Sequence, residues 1–401
     1  MFTRRNLLLS GAAGAALAGL PAVALAEDMP GVTATEIKIG QTMPYSGPAS
    51  AYGVIGRVEV AFVKMINEQG GINGRKINLI SLDDGYSPPK AVEQIRRLAE
   101  QDKVAFIFQS LGTPSNVAIR SYLNEHKIPQ LFVATGASLF GEPKQFPWTM
   151  GINPSYRTEA IIYGKYILAN MPDAKIGVLY QNDSFGKDYI DGLKAALGDK
   201  AAKMIVKEAS YEVSEPTVDS QVVTLQGSGA NVFVIAATPK FAAQAVRKSA
   251  DLGWKAERFL TNVSVAYPIL KGAGLEKSKG LITAAYVKDP ADPIWKDDPG
   301  YKAWAAFATK YMTASVITDG NAAYGYSVAQ VLMQVLKQCG NDLSRANILK
   351  QAANLKDVKT AMFLPGVLVN TSPDNYFPIR TMQLQRFDGT RWVSFGKLLS
   401  D

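Results

Sequence analysis

One histidine and one cysteine in 401 residues leave little room for the commonest catalytic and metal chemistry. With His126 alone, neither an HExxH motif nor any site that needs two imidazoles is available. A Ser-His-Asp hydrolase would have to use His126 itself. With Cys339 alone there is no internal disulfide and no multi-cysteine zinc site. His126 stands in Asn124-Glu125-His126-Lys127 at the end of a helical segment, where a polar ring meets the last carbonyls of the helix. Cys339 falls on a helix and reads as a small core residue. Asp83-Asp84 ends a strand; a solvated strand end or a hinge contact accounts for it, with a carboxylate pair or a metal site as the alternative. No G-x-x-x-x-G-K-[ST] loop and no G-x-S-x-G elbow occurs. Gly70, Gly71 and Gly74 follow a helix rather than a strand, so they mark a turn and not a dinucleotide fingerprint. The 43 basic and 35 acidic residues are well mixed and form no run of five like charges. The net charge of +8 is therefore a basic surface, and no nucleic-acid partner is expected. Nothing calls for a metal or another cofactor.

The elements that must position any site alternate along the chain. Glu36–Met43 reads as a strand, and 53–69 carries Val54, Val58, Ala61, Phe62, Met65 and Ile66 at helical spacing. Gly70-Gly71-Ile72-Asn73-Gly74 stops that helix. Strands at 76–82, 104–108 and 130–133 then alternate with helices at 88–101 and 113–125. A second run follows, with helix 157–170, strand 175–180, helix 186–197, strand 203–208, helix 219–226, strand 231–236, helix 241–252 and strand 258–260. Such alternation implies parallel sheets with helices on both faces, and two α/β lobes in tandem are the simplest account. After a strand at 280–286 and a Pro/Asp-rich stretch, Asp289-Pro290-Ala291-Asp292-Pro293, come helices at 300–312, 322–338 and 344–354. A hairpin turns at Asp388-Gly389 between 380–387 and 391–395. These last parts have no complete sheet of their own. They are expected to add to the two lobes, with the chain crossing between lobes about three times. The expected division is 34–155 plus 282–362 for lobe 1 and 156–281 plus 363–401 for lobe 2.

The first 26 residues have the make-up of an export signal. Thr3-Arg4-Arg5 opens a charged region, an Ala/Gly/Leu stretch runs from Leu7 to Leu20, and Ala24-Leu25-Ala26 is an A-x-A cleavage site before Glu27. The arginine pair resembles a twin-arginine signal; the general secretory route stays open. A membrane anchor is the alternative, weakened by the glycines, Pro21 and the cleavage site. No cysteine near that site marks a lipoprotein. No later stretch reaches 18 consecutive apolar residues. The mature chain is expected in the periplasm.

Four segments carry a family resemblance: Met43-Pro44-Tyr45-Ser46-Gly47-Pro48-Ala49-Ser50-Ala51-Tyr52-Gly53, then Ile66-Asn67-Glu68-Gln69-Gly70-Gly71-Ile72-Asn73-Gly74-Arg75, then Asp83-Asp84 before a helix, and Asn182-Asp183-Ser184-Phe185-Gly186. In this order they resemble the branched-chain-amino-acid-type substrate-binding proteins of ABC transporters, over nearly the whole mature chain. The resemblance implies a type I periplasmic binding fold: two doubly wound parallel-sheet lobes, a three-strand hinge, closure on a small ligand, and docking on a membrane permease.

The residues themselves place a site in the same cleft, since ligands of open α/β sheets bind beyond the carboxyl ends of the strands. The loop after Met43 carries Ser46 and Tyr52. The loop after Phe108 is Gln109-Ser110-Leu111-Gly112-Thr113-Pro114-Ser115, and that after Val133 is Ala134-Thr135-Gly136-Ala137-Ser138. Thr113 reads as an N-cap, Pro114 as the first helical residue and Gly112 as a point of close backbone approach. The free N–H groups and positive dipole end of that helix suit a carboxylate, with a plain helix cap as the alternative. By matched spacing, the resemblance places the family's carboxylate contacts at Thr113, Ala134 and Gly136 and its aromatic wall at Tyr52. In the second lobe it points to Phe185, Thr238 and Val263.

Here the chain departs from the pattern. Amino-acid binders of this family hold the ligand ammonium with an acidic residue in the loop that reads Thr261-Asn262-Val263-Ser264 in this chain. A buried ammonium without a carboxylate is costly. The family's aromatic hydroxyls in lobe 2 are replaced by Phe185 and Thr238. The far half of the cleft is thus expected to be apolar or neutral, and an aromatic or hydrophobic carboxylate to fit better than an α-amino acid. A neutral amide, or an amino acid, is the alternative. The expected protein is a monomeric solute-binding subunit of an importer and not an enzyme. A secreted α/β enzyme using Asp83 and Asp84, or a sensing subunit of a receptor, are the readings from other classes.

Overall fold

The protein is described from a computed structural model covering residues 29–400; the signal-like segment and its cleavage point lie outside the described residues. The first half-chain runs β1 (Glu36–Met43), α1 (Gly53–Glu68), β2 (Lys76–Asp83), α2 (Pro88–Arg96), β3 (Phe106–Phe108), α3 (Thr113–Glu125), β4 (Gln130–Val133) and β5 (Thr149–Gly151). Its strands form an all-parallel sheet in the order β2-β1-β3-β4-β5. The middle strands, Phe-Ile-Phe and Gln-Leu-Phe-Val, are buried throughout, as strands covered on both faces must be. α1 buries Val54, Ile55, Val58, Phe62 and Val63 along one stripe. It stops at a turn where Gly71 has φ +80° and a Cβ would lie 2.0 Å from the Arg75 carbonyl oxygen, so only glycine serves there.

The second lobe begins with α4 (Tyr156–Asn170) and continues through β6 (Ile176–Gln181), α5 (Ser184–Leu197), α6 (Ala201–Met204), β7 (Ile205–Tyr211), α7 (Asp219–Gly227), β8 (Val232–Ala236), α8 (Pro239–Asp251), β9 (Glu257–Leu260), α9 (Tyr267–Ala273), α10 (Leu275–Ser278) and β10 (Ile282–Ala285). The chain then adds α11 (Pro299–Tyr311), α12 (Gly320–Cys339), α13 (Arg345–Ala352), β11 (Met382–Phe387) and β12 (Trp392–Leu399). The second sheet has seven strands in the order β12-β11-β10-β9-β8-β6-β7, parallel except for the antiparallel β10-β11-β12 edge.

The late helices return to the first lobe. α12 lies close on α1, where a Cβ at Gly325 would sit 3.1 Å from the Ile55 carbonyl. Arg345 of α13 donates to the carbonyls of Ala105 at 2.9 Å and Val104 at 3.0 Å.

Two expected lobe boundaries move. β10 belongs to the second sheet, so that crossing comes after Ala285 rather than at 281/282. Residues 363–379 stay on the first lobe: Thr371 Oγ1 donates to the Ala352 carbonyl at 2.7 Å and Tyr376 Oη to that of Pro147 at 3.0 Å. The last crossing therefore comes just before β11, not at 362/363. The crossing after β10 runs beside residues 362–364 of the first lobe, since the Leu364 N–H donates to the Tyr286 carbonyl and the Lys288 N–H to that of Met362, both at 2.8 Å. The strand expected at 203–208 starts later because α5 stops at its C-cap Gly198 and a separate short helix, α6, follows; the strand then runs on to Tyr211.

Candidate functional site

The carboxyl ends of β1, β3 and β4 open onto the gap between the lobes, and their loops make one wall. Leu111 and Ala134 form a single parallel bridge just beyond β3 and β4. Gly112 then turns the chain into α3 with φ +101°. A Cβ there would lie 2.5 Å from the Tyr86 ring, so glycine allows that ring to pack close against the loop. Gly112 is the N-cap and Thr113 the first helical residue, one position off the expected cap, and no side chain caps the helix. The Thr113 hydroxyl instead lies 2.6 Å from that of Thr135. The start of α3 thus presents uncapped N–H groups beside two hydroxyls, at the positive end of a 13-residue helix.

The opposite wall comes from the loops after β6, β8 and β9, with Tyr211 at the end of β7 behind them. Phe185 is buried in the first turn of α5, whose N-cap Asp183 accepts from the Gly186 N–H. Thr238 sits at the N-cap position of α8, where its N–H donates to Tyr211 Oη at 3.0 Å. Tyr211 Oη donates to Gln181 Oε1 at 3.1 Å, and Gln181 Nε2 reaches Tyr86 Oη of the first lobe at 3.3 Å. A second contact joins the lobes where Ser138 N and Oγ donate to the Asp188 carboxylate, each at 2.6 Å.

Between the walls lies a cavity of about 910 Å³, mouth included. Tyr52, Gly112, Thr113, Ala134, Thr135, Phe185, Thr238 and Val263 all line it. Gly136 does not. It lies behind Tyr156, where a Cβ would meet the Pro154 carbonyl at 2.4 Å, and its own carbonyl accepts the Tyr156 N–H at 2.8 Å. Its smallness lets the first crossing segment pass and does not admit a ligand. The lining that sequence reasoning missed is mostly aromatic: Tyr86, Tyr156, Tyr286, Tyr324 and Trp392. Tyr156 and Phe185 stand 4.7 Å apart, ring to ring, and Tyr324 Oη donates to Asn153 Oδ1 at 2.7 Å. Tyr286, Tyr324 and Trp392 come from a crossing, from α12 and from the last strand; no local pattern marks them. Tyr211 could have been found by carrying the strand to its true end. It restores a neutral hydroxyl behind Thr238.

Acidic groups divide by role. Asp83 is held by Ser46 Oγ at 2.6 Å, Lys90 at 3.0 Å and the N–H groups of Tyr45 and Gly85. Burial works against its charge, but these donors hold its carboxyl below the usual range. Asp84 Oδ1 accepts the Tyr86 N–H at 2.8 Å. The pair therefore shapes the loops that carry Ser46 and Tyr86. No group of three or more potential metal-ligating His, Cys, Asp or Glu residues occurs among the described residues. The Thr261–Ser264 loop is backed by Glu159 of α4. That carboxylate accepts from Tyr189 Oη at 2.5 Å, Asn262 N at 2.8 Å, and also from Tyr163 Oη and Asn262 Nδ2. It holds the loop from behind. A further acid, Asp289, lines the cavity itself; it comes from the crossing after β10 and not from the lobe-2 loops expected to be apolar or neutral.

His126 Nδ1 lies 2.8 Å from the Tyr122 carbonyl at the end of α3. Cys339 is buried, which pushes its thiol up to about 12 and leaves it a thiol at neutral pH.

A model of the periplasmic binding protein family matches residues 36–391. The chain belongs to this family. Its two parallel-sheet lobes are the type I periplasmic binding fold. A Leu/Ile/Val-binding protein homologue of Brucella suis is 25% identical over 346 residues, covering 84% of this chain and 85% of that protein. A branched-chain amino acid ABC transporter protein of Thermus thermophilus, solved with bound valine, superposes with a TM-score of 0.82 at 15% identity, over 92% of this chain and 98% of that one. A solute-binding protein of an ABC transporter from Rhodopseudomonas palustris BisB5, solved with 3,4-dihydroxybenzoic acid, superposes with a TM-score of 0.75 at 18% identity, over 91% and 97%. The last two establish likeness of fold. No helix among the described residues is long and apolar enough to cross a membrane.

Proposed function

We propose that this periplasmic binding protein captures a small carboxylate with an aromatic or hydrophobic body, by closure of the lobes, and delivers it to an ABC permease in the inner membrane. One observation carries the reading: the uncapped start of α3, with the Thr113–Thr135 hydroxyl pair, opens into a cavity walled by Tyr52, Tyr86, Tyr156 and Phe185. Helix N–H groups and hydroxyls take the carboxylate, and rings enclose the body. Both lobes line the cavity, so binding favours the closed form by hinge motion. Neighbours of the same fold hold valine and 3,4-dihydroxybenzoic acid, so the architecture admits carboxylates of either sort. The chain acts by stoichiometric binding without turnover, as a monomer, after removal of residues 1–26.

The second reading is an amino acid as ligand. The name of the Brucella relative and the presence of Asp289 in the cavity wall favour it. A thermal-shift panel separates the two. A ligand at about 1,000 times its Kd stabilises the folded state by about 4 kcal/mol. At roughly 2–4 °C per kcal/mol for lobes of this size, a true ligand moves the transition by several degrees. Benzoate-like and phenylpropanoid acids should give such shifts, and leucine, isoleucine and valine should give smaller ones. Large shifts with the branched-chain amino acids alone would overturn the first reading in favour of the second.

A further inference from the structure

We propose that Asp289 is a ligand-binding residue, and that the ligand carries, besides its carboxylate, an O–H or N–H group that donates a hydrogen bond to Asp289 Oδ2. The inference rests on the carboxylate reading above and adds a second polar point to it.

Asp289 follows β10 on the crossing back to the first lobe and lines the cavity with Lys288, Gly320 and Asn321. Its two oxygens differ. Oδ1 accepts the Ala291 N–H at 3.0 Å, which fixes the carboxylate in the turn before Pro293. Oδ2 is buried and has no hydrogen-bond partner. Among the described residues, no other cavity-wall side chain leaves a buried polar atom unpartnered; those of Glu59, Asp84 and Gln109 belong to side chains outside the wall. A buried carboxylate oxygen without a partner is costly, and native proteins rarely keep one unless another molecule supplies the donor.

The nearby charges are already committed. The Lys288 ammonium is held by Asp298 at 2.6 Å and by the Ala361 carbonyl at 2.9 Å. Asp292, three residues on, takes Arg391 at 3.3 Å. Burial, with Asp292 nearby, pushes the Asp289 carboxyl up to about 6, which leaves it mainly ionised, and so an acceptor only, above neutral pH. A site built around such an acceptor discriminates strongly against an analogue that lacks the donor.

The test is calorimetric titration of the mature protein with matched pairs: benzoate against the hydroxybenzoates and aminobenzoates, and phenylpropanoate against its hydroxylated forms and phenylalanine. Wild type should bind the best donor-bearing member of a pair at least tenfold more tightly than the plain parent. Asp289→Ala and Asp289→Asn should remove that preference, chiefly by weakening the donor-bearing member. Asp289→Asn retains the acceptor for Ala291 and removes the unpaired charge, so its ligand-free melting temperature should equal or exceed that of wild type. Equal binding of parent and donor-bearing acids by wild type overturns the inference alone. So does an equal loss of both in a folded variant. Failure of every acid to bind overturns the carboxylate reading and the inference with it.

Discussion

Glu159→Ala tests whether one buried carboxylate holds the lobe-2 wall of the cleft. Glu159 stands in the first turn of α4, is fully buried, and receives four hydrogen bonds. Two of the donors have other acceptors within reach, Leu260 O at 2.8 Å from Tyr163 Oη and Thr261 Oγ1 at 2.5 Å from Tyr189 Oη. The N–H and the side-chain amide of Asn262 both lose their Glu159 partner. A donor left unmade costs about 1–3 kcal/mol when fully buried; Asn262 is half-buried at the cavity wall, so the alanine variant should lose about 2–4 kcal/mol. With each kcal/mol worth roughly 2–4 °C, melting should fall by on the order of 10 °C. Ligand affinity should fall with it, because Asn262 and Val263 line the cavity. Glu159→Gln keeps one acceptor oxygen and should lose far less. Differential scanning calorimetry of the three proteins from pH 5 to pH 8 reads both effects. Burial pushes the Glu159 carboxyl up from 4.5 to about 7, against the pull of its four donors. The folded protein therefore binds this proton more tightly than the unfolded chain. The stability tied to it is fully present below about pH 4.5 and is lost as pH rises through about 7. The wild-type melting temperature should accordingly decline relative to Glu159→Gln between pH 5 and pH 8. A wild-type advantage that grows with pH would refute the balance drawn here and make Glu159 a stable ion. A fall of less than about 2 °C in Glu159→Ala would refute its role in holding the loop.

Other expectations follow from the same site. Gly112→Ala forces a Cβ at φ +101° to within 2.5 Å of the Tyr86 ring; a strain of about 1–3 kcal/mol should lower the melting temperature, and calorimetric affinity should fall as Tyr86 is displaced. Thr113→Val removes the hydroxyl paired with Thr135 and should weaken carboxylate binding by about 1–3 kcal/mol, read by titration; unchanged affinity moves the carboxylate away from α3. Asp188→Asn weakens the two bonds from Ser138 that join the lobes. It should weaken ligand binding by about 1–2 kcal/mol while shifting the ligand-free protein toward a larger radius of gyration in small-angle scattering. Exported protein should begin at Glu27 by N-terminal sequencing; an intact 1–26 segment in membrane fractions contradicts this.

The elements of both lobes were legible in the sequence because their signals are local. The burial stripe of α1, the unbroken apolar runs of β3 and β8, and the glycine stop at Gly70-Gly71 each lie within one stretch of chain. The start of α3 was legible for the same reason: a strand end, a glycine and Thr113-Pro114 together specify a helix opening at the sheet edge. What faces that opening was decided by tertiary structure. Tyr324 meets Gln109 across a separation of 215 residues, and Tyr286 lines the cleft because its crossing segment pairs with residues 362–364. Gly136 and Phe185 were both expected at the ligand, one as a carboxylate contact and one in the second wall; packing put Gly136 behind Tyr156 and Phe185 in the wall. Asp289, within Asp289-Pro290-Ala291-Asp292-Pro293, has the composition of a solvated linker, and only the return of the chain beside the cavity buries its free oxygen. Periodicity tells a residue which way to face within its own element. Which elements face each other depends on where the chain crosses between lobes, and those crossings depend on contacts far apart in sequence.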